Sequence, residues 1–159
     1  MIKKIIGLIP CRLESKRLKG KALKKIDEYP LIVHTYKRAL LSKKLSDIYV
    51  CTDSDKIIKE LKKHKCKFIK TKKNFSNGTE RIASVSKYFK ADLIVDIQGD
   101  EPLLNPNDID KVISFHIKNE KNYDIVLPYL PQKTPGGENT VKIAESKGRV
   151  LFFSRSNIP

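Results

Sequence analysis

The sequence predicts an α/β fold: a doubly wound, mostly parallel sheet with helices on both faces, a Rossmann-like three-layer sandwich. Three observations lead there. Strand-length apolar runs such as IIGLI and IYVC lack the polar alternation of a half-exposed strand, so they suit strands buried on both faces. These runs alternate with amphipathic stretches that carry helix start signals. No repeat and no linker interrupts the alternation, so 1–159 is expected to be a single domain.

Each element has its own warrant. Lys3–Ile9 is a first strand, followed by a basic loop. Pro30 opens a helix over LIVHTYKRALLSKK, with lysines in its last turn. Asp47–Thr52 is a second strand. Asp53 or Ser54 then caps a helix, DKIIKELKKHK, with Ile57, Ile58 and Leu61 on one face. Cys66–Ile69 is a short third strand. Asn77–Phe89 reads as a helix through Ile82, Val85 and Phe89, capped by Asn77 or Thr79. Asp92–Ile97 is a fourth strand, and Pro106 begins a helix through Ile109, Val112, Ile113 and Ile117. Ile125–Leu130 is expected as a fifth strand. PQKTPGGE is turn-rich, and TVKIAESKGRVLFF reads as a hairpin around Lys147-Gly148.

Composition narrows the function. No run approaches the ~20 apolar residues needed to span a bilayer. The N-terminal MIKKIIGLIP has no cleavage site and too short an apolar stretch for a signal, so a cytoplasmic protein without membrane contact is expected. Cys11, Cys51 and Cys66 are odd in number and far apart, which argues against a disulfide framework or a zinc site. The net charge of +15 raises nucleic acid as a partner. Lysine far outnumbers arginine, however, and is spread along the chain. No RNP-like aromatic motif, zinc finger or basic arm is present. A basic surface that draws in a polyanionic small substrate explains the charge equally well.

Ligands of such sheets bind beyond the C-terminal strand ends, which directs attention to residues 10–21, 53–54, 71–78 and 98–105. The first loop, PCRLESKRLKGK, lacks both the Walker pattern and G-x-G. It carries Arg12, Ser15, Arg17, Lys19 and Lys21, and such forks and point charges suit phosphate oxygens. The same loop also fits a solvated basic surface. IVDIQGDEPLL delivers Gln98, Gly99, Asp100 and Glu101 to the ligand edge. Two adjacent acids there fit either Mg²⁺ bound between carboxylate and phosphate or a plain exposed turn. NFSNGTERIA opens a helix whose free N–H groups can meet an anion, although Thr79 and Glu80 also suit simple capping.

Together these segments resemble sugar-activating cytidylyltransferases. IPCRLESKRLKGKAL is similar to their P-x-R-x-x-S-x-R-L-P-G-K signature. SNGTERIA resembles their S-G-T-E-R-[LI]-A element, and IQGDEPLL their Q-G-D-E-P element. VCTD and VKIAESKGRVLFFSRSNIP follow in order. Within that group the resemblance is to the 3-deoxy-manno-octulosonate (Kdo) cytidylyltransferases. It implies the reaction CTP + Kdo → CMP-Kdo + pyrophosphate, which feeds lipopolysaccharide assembly. It also implies Mg²⁺ as cofactor and a homodimer in the full-length form.

Carried over by position, the resemblance implies that Arg12, Ser15, Arg17 and Lys21 hold the CTP phosphates. Gly78 and Arg81 match the segment near the cytosine, and Asp100 the Mg²⁺-binding acid. Gln98 matches a residue near sugar and ribose, and Arg155 a sugar-contacting position. Arg12, Arg17, Lys21 and Asp100 form the expected catalytic set. No nucleophilic side chain is required, in keeping with the absence of a Ser/His/Asp set.

Two departures stand out. Lys19 replaces the family's proline before Gly20. The sequence ends at SRSNIP, where the family continues with its C-terminal third, bearing a second metal-binding acid, more sugar contacts and much of the dimer interface. Alternatives are therefore another acidic sugar (an acylneuraminate or 8-amino-Kdo), a truncated nucleotide-binding remnant without catalysis, or a basic nucleic-acid-binding protein. The last leaves the ordered motifs unexplained.

Overall fold

The computed structural model describes residues 3–14, 18–72, 75–131, 136–138 and 140–157. The chain divides into two compact units, Met1–Val126 and Leu127–Pro159.

The first unit is built on β1 (Ile5–Pro10), whose side chains are buried on both faces. After β1 come two-residue strands β2 (Lys25–Ile26) and β3 (Tyr29–Pro30), which pair antiparallel. The sheet then gains β4 (Asp47–Thr52), β5 (Phe68–Lys70) and β6 (Leu93–Asp96). Its order is β5-β4-β1-β6, with every neighbouring pair parallel. Leu8 stands opposite both Tyr49 and Asp96, so β1 is the axis of the sheet.

Alternation along the strands divides the core into two layers. Ile5, Ile9, Ile48 and Val50 face one side. There they meet α1 (Leu31–Ala39), α2 (Asp55–Lys63) and α4 (Pro106–Asn119) through Ile32, Val33, Tyr36, Ile57, Leu61, Ile109 and Ile113. Ile6, Leu8 and Cys51 face the other side, against Ile82 and Val85 of α3 (Gly78–Ser86). The expected layered, parallel α/β architecture is therefore present.

Helix starts follow the chemistry of their first residues. Ser54 accepts from Ile57 N, Asn77 from Glu80 N and Asn105 from Asn107 N, each satisfying a donor that the helix cannot. Asp110 of α4 accepts from Ser42 Oγ at 2.5 Å and from Lys43 N and Lys44 N, pinning the end of α1's connection.

Two features differ from expectation. The fifth strand over Ile125–Leu130 does not form. Pro128 interrupts that run with a residue that lacks an N–H, and Ile125, Tyr129 and Leu130 are exposed rather than packed on a sheet. The stretch between the basic loop and α1, in turn, holds structure that periodicity does not announce: a 3₁₀ turn at Lys21–Leu23 and the β2–β3 arm, turned by Asp27 at φ 51°.

The second unit contains an antiparallel hairpin of β7 (Lys142–Ser146) and β8 (Arg149–Ser154). Lys147 and Gly148 both take positive φ, the requirement of a tight type I′ turn, so the hairpin forms where the Lys-Gly pair predicts it.

Candidate active site

All four sheet strands run the same way, so their C-terminal ends share one edge, and the segments that follow them meet there. Pro10, the last residue of β1, is the meeting point. A Cβ on Gly78 would lie 2.9 Å from Pro10 Cγ, and one on Gly99 would lie 2.9 Å from the Pro10 carbonyl oxygen. Only hydrogen at these two positions lets the start of α3 and the turn after β6 close onto β1. Cys11 N, next along, donates to Cys51 O at 2.9 Å, extending the β1–β4 ladder into the loop.

Charged groups line this edge. Lys21, at the start of the 3₁₀ turn, places Nζ 2.6 Å from Asp100 Oδ2 in the turn after β6. Both side chains keep partial solvent access, at 35% and 50% exposure, so the pair can exchange partners when a ligand arrives. Arg12 is exposed on the loop leaving β1. Gln98 donates its amide to Asp96 Oδ1 at 3.3 Å, and Thr79 Oγ1 donates to Asp96 Oδ2 at 3.4 Å. Desolvation raises the Asp96 carboxyl above its ordinary range, and the Thr79 hydroxyl works against that shift.

Arg81 takes a different position. It is the one buried charged side chain among the described residues, at 6% exposure. Its guanidinium pairs with Asp53 Oδ1 at 2.8 Å, donates to Thr71 Oγ1 and lies 5.5 Å from the centre of the Phe75 ring. It thereby ties α3 to the ends of β4 and β5. Cys11 sits in the same field. Burial pushes its thiol up to about 12, with Arg81 pulling it down and Asp100 and Asp53 adding to the rise. A thiol so placed is a packing group rather than a nucleophile.

Of the residues expected from sequence, Arg12, Lys21, Gly78, Arg81, Gln98 and Asp100 all belong to segments at this edge of the first unit. Ser15 and Arg17 lie outside the described residues. Arg155 belongs to the second unit, where its backbone oxygen accepts from Lys142 Nζ at 2.6 Å. Sequence reasoning singled out neither Thr71 nor Asp96 as a site residue, although Thr71 falls in the 71–78 segment, and it read Asp53 as a possible cap in the 53–54 loop and as the end of the VCTD match. A signal for Asp53 existed: Arg81 falls on the same helical stripe as Ile82 and Val85, and an arginine on a buried face requires a carboxylate.

A family model described as cytidylyltransferase matches residues 6–159. The chain belongs to the cytidylyltransferase family. Among its curated relatives is the 3-deoxy-manno-octulosonate cytidylyltransferase of Chlorobium phaeobacteroides (strain DSM 266), 38% identical over 98% of this chain and 65% of the relative. The protein of the same name from Chloroherpeton thalassium is 37% identical with the same coverage. Among solved structures, CMP:2-keto-3-deoxy-manno-octonic acid synthetase complexed with CTP superposes with a TM-score of 0.84 at 30% identity. That match covers 98% of this chain and 66% of the other. The chain thus spans just under two thirds of the length of the cytidylyltransferases it matches. No helix among the described residues is long and apolar enough to cross a membrane.

Proposed function

We propose that this chain forms the nucleotide-binding core of a cytidylyltransferase that joins CTP to Kdo, yielding CMP-Kdo for lipopolysaccharide assembly in the cytoplasm, with the full-length form a homodimer. The observation that carries the reading is the Lys21–Asp100 pair at the carboxyl edge of the parallel sheet. A cation and an acid held together there are the two groups that a metal-bound triphosphate would separate. The 30% identity to a fold solved with CTP supports the same assignment.

In the proposed reaction the sugar's anomeric hydroxyl attacks the α-phosphorus in line. The bond from that phosphorus to the bridging oxygen breaks, its electron pair leaves on pyrophosphate, and the hydroxyl's proton passes to solvent. Lys21, Arg12, Ser15 and Arg17 hold the β- and γ-phosphates and stabilise the charge that grows on the leaving group. Gly78 brings the helix start close enough to wall in the base. Gln98, its amide nitrogen given to Asp96, presents its carbonyl oxygen as an acceptor for a hydroxyl. In the complete protein, Arg155 contacts the sugar.

Asp100 is the residue that would hold Mg²⁺. It is a half-exposed carboxylate, and no group of three or more acids, histidines or cysteines among the described residues forms a closed cage. That donor set fits Mg²⁺, which commonly takes one or two carboxylates and completes its shell with phosphate oxygens and water. When bound, the ion would supply charge neutralisation and alignment of the phosphates.

The test is a thermal-shift panel of CTP, UTP, ATP and GTP, each with and without Mg²⁺. A ligand at a hundred times its Kd stabilises by about 2.7 kcal/mol, roughly 5–10 °C for a chain of this size. The expected result is stabilisation by CTP with Mg²⁺ above the other nucleotides. Equal response to all four would refute cytidine selectivity in this chain.

A further inference from the structure

Arg81 is buried, yet its charge is not directed at open solvent around the nucleotide edge. It is spent on Asp53, Thr71 and the face of Phe75. Burial of a guanidinium is costly unless its charge and donors are met, and removing its partner leaves the cost uncompensated. Asp53 is therefore needed wherever Arg81 is placed. The pair is also imperfect: Oδ1 of Asp53 is buried and lies 2.8 Å from Arg81, but receives no hydrogen bond of good geometry. The arrangement holds position by charge and packing rather than by a saturated network.

Arg81 lies one turn into α3, whose first residue, Gly78, rests against Pro10 at 2.9 Å from where its Cβ would be. Pro10 thus meets α3 at its first residue, and Asp53 holds that helix one turn further on through Arg81. Asp53 follows directly on β4 and is fixed by it: Ser54 N donates to Thr52 Oγ1, and Ser54 caps α2.

We propose that Asp53 is a positioning residue for base selection: through Arg81 it sets the start of α3 against Pro10, and so the distance between the base wall and the phosphate-binding side. This rests on the nucleotide reading above. The Lys21–Asp100 pair of the phosphate side stands on the 3₁₀ turn and the turn after β6, elements other than those that carry Asp53 and Arg81, so the two halves of the site respond differently to loss of Asp53.

The experiment compares the unaltered chain with Asp53→Asn by calorimetric titration of CTP, UTP and inorganic tripolyphosphate, all with Mg²⁺. In Asp53→Asn, affinity for CTP falls at least tenfold, the preference for CTP over UTP shrinks towards unity, and tripolyphosphate affinity changes less than twofold. Equal loss for CTP and tripolyphosphate, or an unchanged CTP preference, overturns the proposal. Should Asp53→Asn not fold, Asp53→Glu keeps the charge and displaces it by one methylene. The expectation is then a folded protein with reduced CTP preference, and full preference in that variant overturns the proposal. If the unaltered chain itself shows no nucleotide preference, the functional reading fails and takes this proposal with it, whereas a preference that survives in the variants removes Asp53 alone.

Discussion

Replacing Gly99 with alanine isolates the close approach that brings the Asp100 turn onto β1. The φ of Gly99 lies outside the left-handed region, so alanine meets no backbone restriction there. The clash is steric: the new Cβ would sit 2.9 Å from the Pro10 carbonyl oxygen, with Ile32 Cδ1 and Ile9 Cγ2 already at 3.4 Å. An ordinary contact needs about half an ångström more, and a backbone oxygen inside a parallel ladder cannot rotate away. Overpacking of this kind costs about 1–3 kcal/mol, partly offset by the ~0.4–1 kcal/mol that alanine contributes by restricting the unfolded chain. The net loss is about 1–2 kcal/mol, or roughly 2–8 °C in Tm for a chain of this length. Calorimetric or fluorescence-monitored melting measures it. Gly137→Ala serves as the control, because nothing lies within 4 Å of its Cβ and its φ is permissive. A Gly99→Ala protein melting at or above the parent temperature would refute the close-approach argument.

Two other outcomes follow from the geometry. The Lys21–Asp100 pair is half-exposed and contributes only about 0–1 kcal/mol to stability, so Asp100→Asn should leave Tm within ~4 °C while removing the Mg²⁺-dependent part of nucleotide stabilisation. Lys21→Ala should weaken CTP binding more than CMP binding, and equal losses by titration would take Lys21 away from the β/γ-phosphates. The thiols give a pH prediction. Burial lifts Cys11 and Cys51 from an ordinary 9.0 to about 12 in the folded chain. Their protonated forms are thus favoured by folding, so their contribution is complete below pH 9 and is lost as pH rises from 9 towards 12. Melting temperature should be level at neutral pH and decline on that alkaline limb. Disulfide-exchange labelling under native, mildly alkaline conditions should be slow, and labelling at the rate of a free thiol would contradict the burial.

The sequence was most informative where local chemistry and tertiary burial agree. Asp47–Thr52 forms the strand expected of it, because its alternate residues face two apolar layers. Ser54, Asn77 and Pro106 mark helix starts, because the first turn has orphan donors wherever it lies. Ile125–Leu130 misleads because its apolar content suggests a strand, while Pro128 withholds an N–H that pairing needs. The β2–β3 arm was illegible, since two-residue pairing leaves no periodic trace. At the site, Lys21 and Asp100 could be named as residues of interest, but their contact spans the fold and only the parallel order of β1 and β6 produces it. An arginine on the buried face of α3 signals a carboxylate partner, but only the placement of β4 and β5 beside α3 shows that Asp53 and Thr71 meet it.

The central place of β1 has a consequence for how the molecule comes into being. Ile5 N donates to Ser46 Oγ, 41 residues away, and Lys4 N to Asp92 Oδ2, 88 residues away. Doubling a loop adds only about 0.6 kcal/mol of closure entropy, so the β6 side is hardly costlier to join than the β4 side, but it emerges later from the ribosome. A nascent chain that has made β1, β4 and β5 already holds Lys21, yet lacks the acid that Lys21 grips. Docking of β6 delivers Gly99 and Asp100 to Pro10 in one movement. Completion of the sheet and assembly of the Lys21–Asp100 pair are therefore one event.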